Sequence, residues 1–227
     1  MLGARSSILM FIAIIPTSRC DDLVPKCSGT FVTNVDRVIA LTNHNIVRTE
    51  LQEGFVKDKN KKSYPAAENM YKMRWSCKLE EMAQRLVQGC ELPPTTPPTK
   101  HALNFKAYVS LFPFEPSKPY TKLNDVINTA YGEWNAQSRK LDATNKFDPK
   151  IEQLANMLNS ATTSVGCSAQ LCGDGVLASV ACVYDQPALS AGKDIYKVGR
   201  PCAQDSDCTA FSPAKCDSKS SLCERLH

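Results

Sequence analysis

The sequence predicts an α+β domain closed by disulfides, and three observations carry that reading. Apolar residues recur at helical spacing as far as residue 160, a β-branched alternating pair of segments follows, and eleven cysteines punctuate the 227 residues. Hydrophobic content of 43% and charged content of 22% describe a globular chain, not a disordered one. The net charge of +4 is too small to argue for a nucleic-acid partner.

Taken in order, the chain opens with a basic residue, Arg5, an apolar run over 8–15 and then small or polar residues. That is the layout of a secretory signal peptide over 1–20, and the run is too short for a membrane span of about 20 residues. Cleavage after Cys20 puts Ser18 and Cys20 at the two positions that require small side chains. It leaves 25 basic residues against 23 acidic ones, and ten cysteines: 27, 77, 90, 167, 172, 182, 202, 208, 216 and 223. Ten can form five bridges with none left over, as suits an extracellular protein without membrane insertion.

Residues 36–54 read as a helix, with Val38, Ile39, Leu41, Ile46, Val47 and Leu51 as its apolar stripe and Gly54 as its stop. Lys57, Lys59, Lys61 and Lys62 then form a polar loop, which either meets an anionic surface or sulfated glycan or is simply solvated. A second helix is expected to start near Ala66 and a third over 78–88, where Leu79, Met82, Ala83, Leu86 and Val87 share a face before Gly89. Glu80 and Glu81, adjacent on that helix and pointing apart, read as solvated surface. Prolines break the chain at 93–98 and again at 113, 116 and 119. Helical period returns over 123–141 and 148–160. Val165-Gly166-Cys167 and residues 176–184 then alternate as a hairpin around Gly173-Asp174-Gly175. The last four cysteines sit among few large apolar residues, so 201–227 reads as a tail held by cross-links, not as a zinc knuckle.

The segments HNIVRTELQEG, AENMYKMRWSCKLEEMAQRLVQGC, TTSVGC and ACVYDQPALSAGKDIY resemble the CAP superfamily of cysteine-rich secretory, antigen 5 and PR-1 proteins. Met70, Met73, Trp75, Cys77, Leu79, Glu80 and Ala83 are particularly like the secreted members of hookworms and related nematodes, as is the four-cysteine ending. The resemblance implies a three-layer α-β-α sandwich over 27–200 and a Cys167–Cys182 bridge across the hairpin. It further implies a secreted, monomeric, non-enzymatic protein that antagonises host platelet integrins, the receptors for fibrinogen and collagen. The alternative it offers is an extracellular carrier of sterol or fatty acid.

Members of the family typically hold two histidines and two glutamates that can bind zinc. Matched residue by residue, only Glu133 of that set remains: Gln153 stands for one histidine, Leu103 for one glutamate, and prolines follow Cys90 where the other histidine belongs. The expectation is therefore no metal and no cofactor, with His101 a possible displaced ligand, His44 structural and His227 terminal. No histidine is placed to activate a nucleophile, so catalysis is not expected. Three residues are candidates for receptor binding. Asp174 would be displayed by a disulfide-anchored turn, against the reading that Gly-Asp-Gly is turn chemistry alone. Phe112 and Phe114 lie in the second proline-rich stretch, where aromatics either anchor an interface or cover the core.

Overall fold

The computed structural model describes residues 23–90, 98–109, 122–140 and 142–226. The expected signal peptide, most of the first proline-rich stretch, the whole of 111–120 with Phe112 and Phe114, and His227 lie outside those residues.

Helix α1 (Asn34–Gln52) starts where its sequence supplies a cap. The Thr33 hydroxyl accepts from the Asp36 amide at 3.3 Å, and the Asp36 carboxylate accepts from the Thr33 amide at 2.8 Å. Its inner face buries Ala40, Leu41, Val47 and Leu51, but also His44 and Arg48. The helix expected near Ala66 does not form. Tyr64, Ala67 and Met70 are buried at a helix-like spacing of three, yet the backbone there runs extended and spends its hydrogen bonds on distant chain. Glu68 N–H donates to Lys197, Lys72 N–H to Cys223, and Cys223 N–H to Met70. Pro65 and the positive φ of Asn69 (52°) fit that path and not a helix.

That segment leads into β1 (Arg74–Trp75) and α2 (Cys77–Val87), which is capped by Ser76 and stopped by Gly89 at φ 75°. Beyond them come β2 (Leu103–Val109), α3 (Leu123–Asn135), α4 (Glu152–Leu158), β3 (Ser164–Cys172) and β4 (Leu177–Tyr184). The four strands pair in the order β1-β3-β4-β2. The first pair is parallel and the other two are antiparallel. Strand alternation sorts the core into two layers. Ala181 and Val183 face α2 with Leu103 and Phe105, whereas Val180, Cys182 and Tyr184 face α1, α3 and α4. The result is the three-layer sandwich. Gly166 lets the layers approach, since a Cβ there would lie 2.1 Å from the Glu80 backbone nitrogen.

Two buried arginines tie α1 to the rest. Arg37 forks onto Glu80 of α2, with Nε and Nη2 at 2.8 and 2.7 Å from its two oxygens, and Trp75 Nε1 donates to the same carboxylate at 2.7 Å. Glu80 is therefore fully buried, contrary to the solvated surface expected, while Glu81 is exposed. Its position three residues before Ala83 and seven before Val87 puts it on the packed face. Arg48 donates to backbone carbonyls of Tyr71, Met157, Asn159 and Thr162. At the sheet edge, Asn45 takes both backbone groups of Met73: its Oδ1 accepts from the amide at 2.8 Å and its Nδ2 donates to the carbonyl at 3.2 Å.

Five bridges complete the frame: Cys27–Cys77, Cys90–Cys172, Cys167–Cys182, Cys202–Cys216 and Cys208–Cys223. The last two staple the hairpin β5 (Ala214–Asp217) and β6 (Leu222–Arg225). That hairpin docks on the sandwich through Tyr71, which meets Phe211 edge-to-face at 4.9 Å.

Glu80→Ala strands the Arg37 charge in the core and is expected to cost about 3–5 kcal/mol in urea denaturation, whereas Glu81→Ala should fall within about 0.5 kcal/mol of the parent.

Candidate functional site

The set of residues inherited from a zinc cleft does not converge here. Glu133 sits on the exposed side of α3, where its Oε2 lies 2.6 Å from Lys106 Nζ of β2, so the protein's own ammonium occupies the carboxylate. Gln153, at the start of α4, accepts through its side-chain oxygen from the Gln137 amide. Gln137 in turn accepts from Leu154 N–H at 3.1 Å. Asn104 joins this amide cluster by donating to the Gln153 carbonyl at 3.0 Å and accepting from Asn156 at 3.0 Å. Leu103 turns to the other face of the sheet, against α2, and does not meet Gln153 or Glu133. His101 is held apart as well, with Nδ1 2.7 Å from the Tyr184 carbonyl. Neutral amides and a lysine-paired carboxylate do not fit zinc, which takes imidazole, thiolate or free carboxylate.

His44 is enclosed between Tyr131 and Tyr184. Its Nδ1 lies 2.8 Å from the Ala40 carbonyl and its Nε2 lies 2.9 Å from the Tyr184 hydroxyl, while the Tyr131 hydroxyl bonds both the ring and Ala40. A neutral ring that donates from Nδ1 and accepts at Nε2 satisfies these partners. Burial, reinforced by the neighbouring Arg48 cation, holds its pKa well below the usual value. Burial likewise pushes the Tyr184 hydroxyl well above its ordinary pKa. His44 and Tyr184 are fully buried, so the cluster belongs to the core.

The hairpin turn has a different character. Gly173, Asp174 and Gly175 all take positive φ (56°, 54° and 85°), which glycine adopts freely and aspartate tolerates better than most residues. Val176 N–H closes the turn onto the Gly173 carbonyl at 3.0 Å, and Asp174 stands exposed at its tip. Cys172, immediately before the turn, is bridged to Cys90. Val109, the last residue of β2, pairs with Leu177 just past the turn. Register and bridge together therefore bring three things to one end of the sheet: Asp174, the point where the chain leaves Cys90 toward 91–97, and the point where it leaves Val109 toward 110–121. Nothing in the sequence alone showed that convergence, because neither β2 nor the Cys90 pairing was legible there.

A groove of about 920 Å³ runs along the outer side of α1, between the helix, the β1 edge and β6. Val38, Leu41, Ile46, Met73, Trp75 and Leu222 supply its apolar lining.

Comparison with known proteins places this architecture. The profile of the cysteine-rich secretory protein family, CAP, matches residues 41–184. The Ancylostoma secreted protein of Ancylostoma caninum is 27% identical over 219 residues, which is 93% of this chain but 48% of the relative, so the chain spans about half the length of the curated relative it matches. The solved structure of BmVAL-1 superposes with a TM-score of 0.76 at 27% identity, covering 89% of this chain and all of that one. The crystal structure of hookworm platelet inhibitor does so with 0.64 at 22% identity, covering 91% and 98%; at that identity it speaks for the fold.

Two outcomes follow from this geometry. Calorimetry with zinc should show no binding at micromolar metal, and a saturable single-site heat there would contradict the amide and lysine replacements. Because the unfolded chain protonates His44 near pH 6.5 and the folded chain does not, the fold should lose stability as pH falls below about 6.5. The slope should reach at most about 1.4 kcal/mol per pH unit and be absent in His44→Gln. Urea titrations between pH 7 and pH 5 (above the carboxylate range, roughly pH 4) read this slope directly.

Proposed function

The chain belongs to the CAP family of cysteine-rich secretory proteins, and from that premise we propose that it is a secreted, non-enzymatic parasite protein that antagonises host platelet integrins. One observation carries the reading: a solvent-exposed aspartate, Asp174, is held at the tip of a positive-φ turn that the Cys90–Cys172 bridge anchors. An integrin takes an acidic side chain into its own metal site, and a carboxylate fixed before binding loses little entropy on docking. Cys90 and Val109, which precede the two proline-rich stretches in sequence, lie at the turn's end of the sheet, and Phe112 and Phe114 are proposed as further apolar anchors. Secretion is supported by five disulfides and by the secreted relative, and the proposed leader is residues 1–20. The shared fold with a hookworm platelet inhibitor is consistent with the host-directed class. The absence of a convergent nucleophile, base or metal set among the described residues supports a binding role over a catalytic one.

The groove along α1 favours a second reading, carriage of a sterol or fatty acid, because its apolar lining and its volume suit one acyl chain or ring system. Lipid extracted from the protein after expression in an oxidising host and identified by mass spectrometry would support that reading over the first.

The refolded protein is expected to inhibit platelet aggregation, and platelet adhesion to fibrinogen and collagen, at micromolar concentration or below. Asp174→Ala should weaken inhibition at least tenfold with an unchanged circular dichroism spectrum. Full potency in that variant would remove Asp174 from the proposal, and no inhibition by the parent protein would remove the proposal itself.

A further inference from the structure

The lysine-rich loop that follows α1 is more ordered than a solvated charge run needs to be. Within Lys57-Asp58-Lys59-Asn60-Lys61-Lys62, the aspartate points inward and is buried. Its carboxylate accepts from the backbone amides of Asn60 and Lys62, each at 2.8 Å, and of Ala143 at 2.9 Å. Burial works against its charge, but those three N–H groups and the Lys62 ammonium prevail and hold its pKa below the usual carboxylate value. The single acid within the loop is thereby spent on the backbone. It pins the loop to the strand of chain after α3 and leaves Lys57, Lys59, Lys61 and Lys62 facing solvent.

The same pin brings a second basic segment alongside. Arg139 and Lys140, at the end of the turn after α3, are exposed, and Arg139 shares a notch of about 240 Å³ with Lys57 and Phe55. Phe55 is 65% exposed, the most exposed large apolar side chain among the described residues. Two acids stand at the margin: Asp142, paired with Lys59 at 3.2 Å and bonded by Asn60 at 2.8 Å, and Glu50, which lines the notch and accepts from Asn135 at 3.3 Å; Lys57, Lys61, Lys62, Arg139 and Lys140 outnumber them.

We infer that this loop, with Phe55, Arg139 and Lys140, is a docking surface for a sulfated polysaccharide. Clustered cations on a preformed loop suit closely spaced sulfates, as the short lysine-rich run suggests at the level of sequence. The Phe55 ring offers an apolar face on which a sugar ring stacks, with Lys57 and Arg139 on its flanks. A bilayer is the poorer partner, because one exposed phenylalanine and no amphipathic helix give little to insert, and anionic lipid is concentrated in the cytoplasmic leaflet. A disulfide-rich chain works on the other side of the membrane, where sulfated glycans are the abundant polyanion.

The test uses the full disulfide-bonded protein on immobilised heparin, chemically desulfated heparin, and mixed phosphatidylcholine–phosphatidylserine vesicles. Binding to heparin is expected to weaken with added salt and to be lost on desulfation. The triple variant Lys59→Gln, Lys61→Gln, Lys62→Gln should bind at least about tenfold more weakly. A charge-matched control, Lys78→Gln, Arg85→Gln, Lys219→Gln, should stay within about twofold of the parent. Phe55→Ala should lose several-fold affinity with the salt dependence unchanged. Near-ultraviolet circular dichroism confirms that each variant is folded. Equal weakening in both triple variants would reduce the surface to net charge and overturn the inference, as would heparin binding that survives desulfation or vesicles that bind as well as heparin. None of these readouts involves platelets, so they stand apart from the integrin proposal.

Discussion

A single guanidinium whose hydrogen bonds go to backbone carbonyls positions much of this fold. Arg48 reaches from α1 into the last turn of α4, where carbonyls have no helical partner. It closes that end by accepting none and donating to the carbonyls of Met157 and Asn159, at 2.9 and 2.8 Å. Its other arm takes the carbonyls of Thr162, just before β3, and Tyr71, just before β1. Burial lowers its pKa to about 9, against the opposing pull of Asp185 and Tyr184, so the group remains a cation at neutral pH. A buried charge of that kind is tolerable only when its donors are satisfied together, and that demand fixes α4 and the starts of two strands relative to α1. Arg37 does the same between α1 and α2, with Glu80 in place of carbonyls. One disulfide, Cys167–Cys182, crosses the centre of the sheet; these two cations align the helices around it.

The architecture separates support from display. Two of the positions that the family resemblance marks carry internal bonds: Glu133 to Lys106, Gln153 to Gln137. Asp174 and the lysines of 57–62 stand exposed on a turn and a loop. Each of those loops is fixed by one buried or covalent tether, the Cys90–Cys172 bridge in the first case and the Asp58 carboxylate in the second. Residues that meet other molecules concentrate on loops held by a rigid scaffold, and both of these loops are held in that way.

Where the sequence announced structure, it did so through short-range rules. The Gly54 and Gly89 stops and the Gly-Asp-Gly hairpin are local agreements between residue type and backbone, and all are present. The segment after Pro65 misled because its buried residues fall three apart while its backbone bonds to the tail some 150 residues away, which no local window reveals. Glu80 misled through chemistry: a carboxylate reads as surface until a buried arginine from another helix is known to face it. β2 gave no clean alternation, since Asn104 and Lys106 on one face bond to polar groups of α4 and α3 while Tyr108 on the same face packs on the core. The candidate site was half legible. Asp174 was marked by its glycines, but its neighbours depend on register.

The grip of Asn45 on Met73 has a bearing on how the protein behaves in concentrated solution. β1 is an outer strand of the sheet, and outer strands are where chains add to one another into fibrils. With donor and acceptor of Met73 both taken by a side chain from α1, an incoming strand must first displace that amide before it can pair. On the opposite margin, Asn156 similarly reaches the Leu103 carbonyl at 3.5 Å. Asparagines of α1 and α4 thus cover backbone groups at both margins of the sheet, which raises the cost of edge-to-edge pairing between copies.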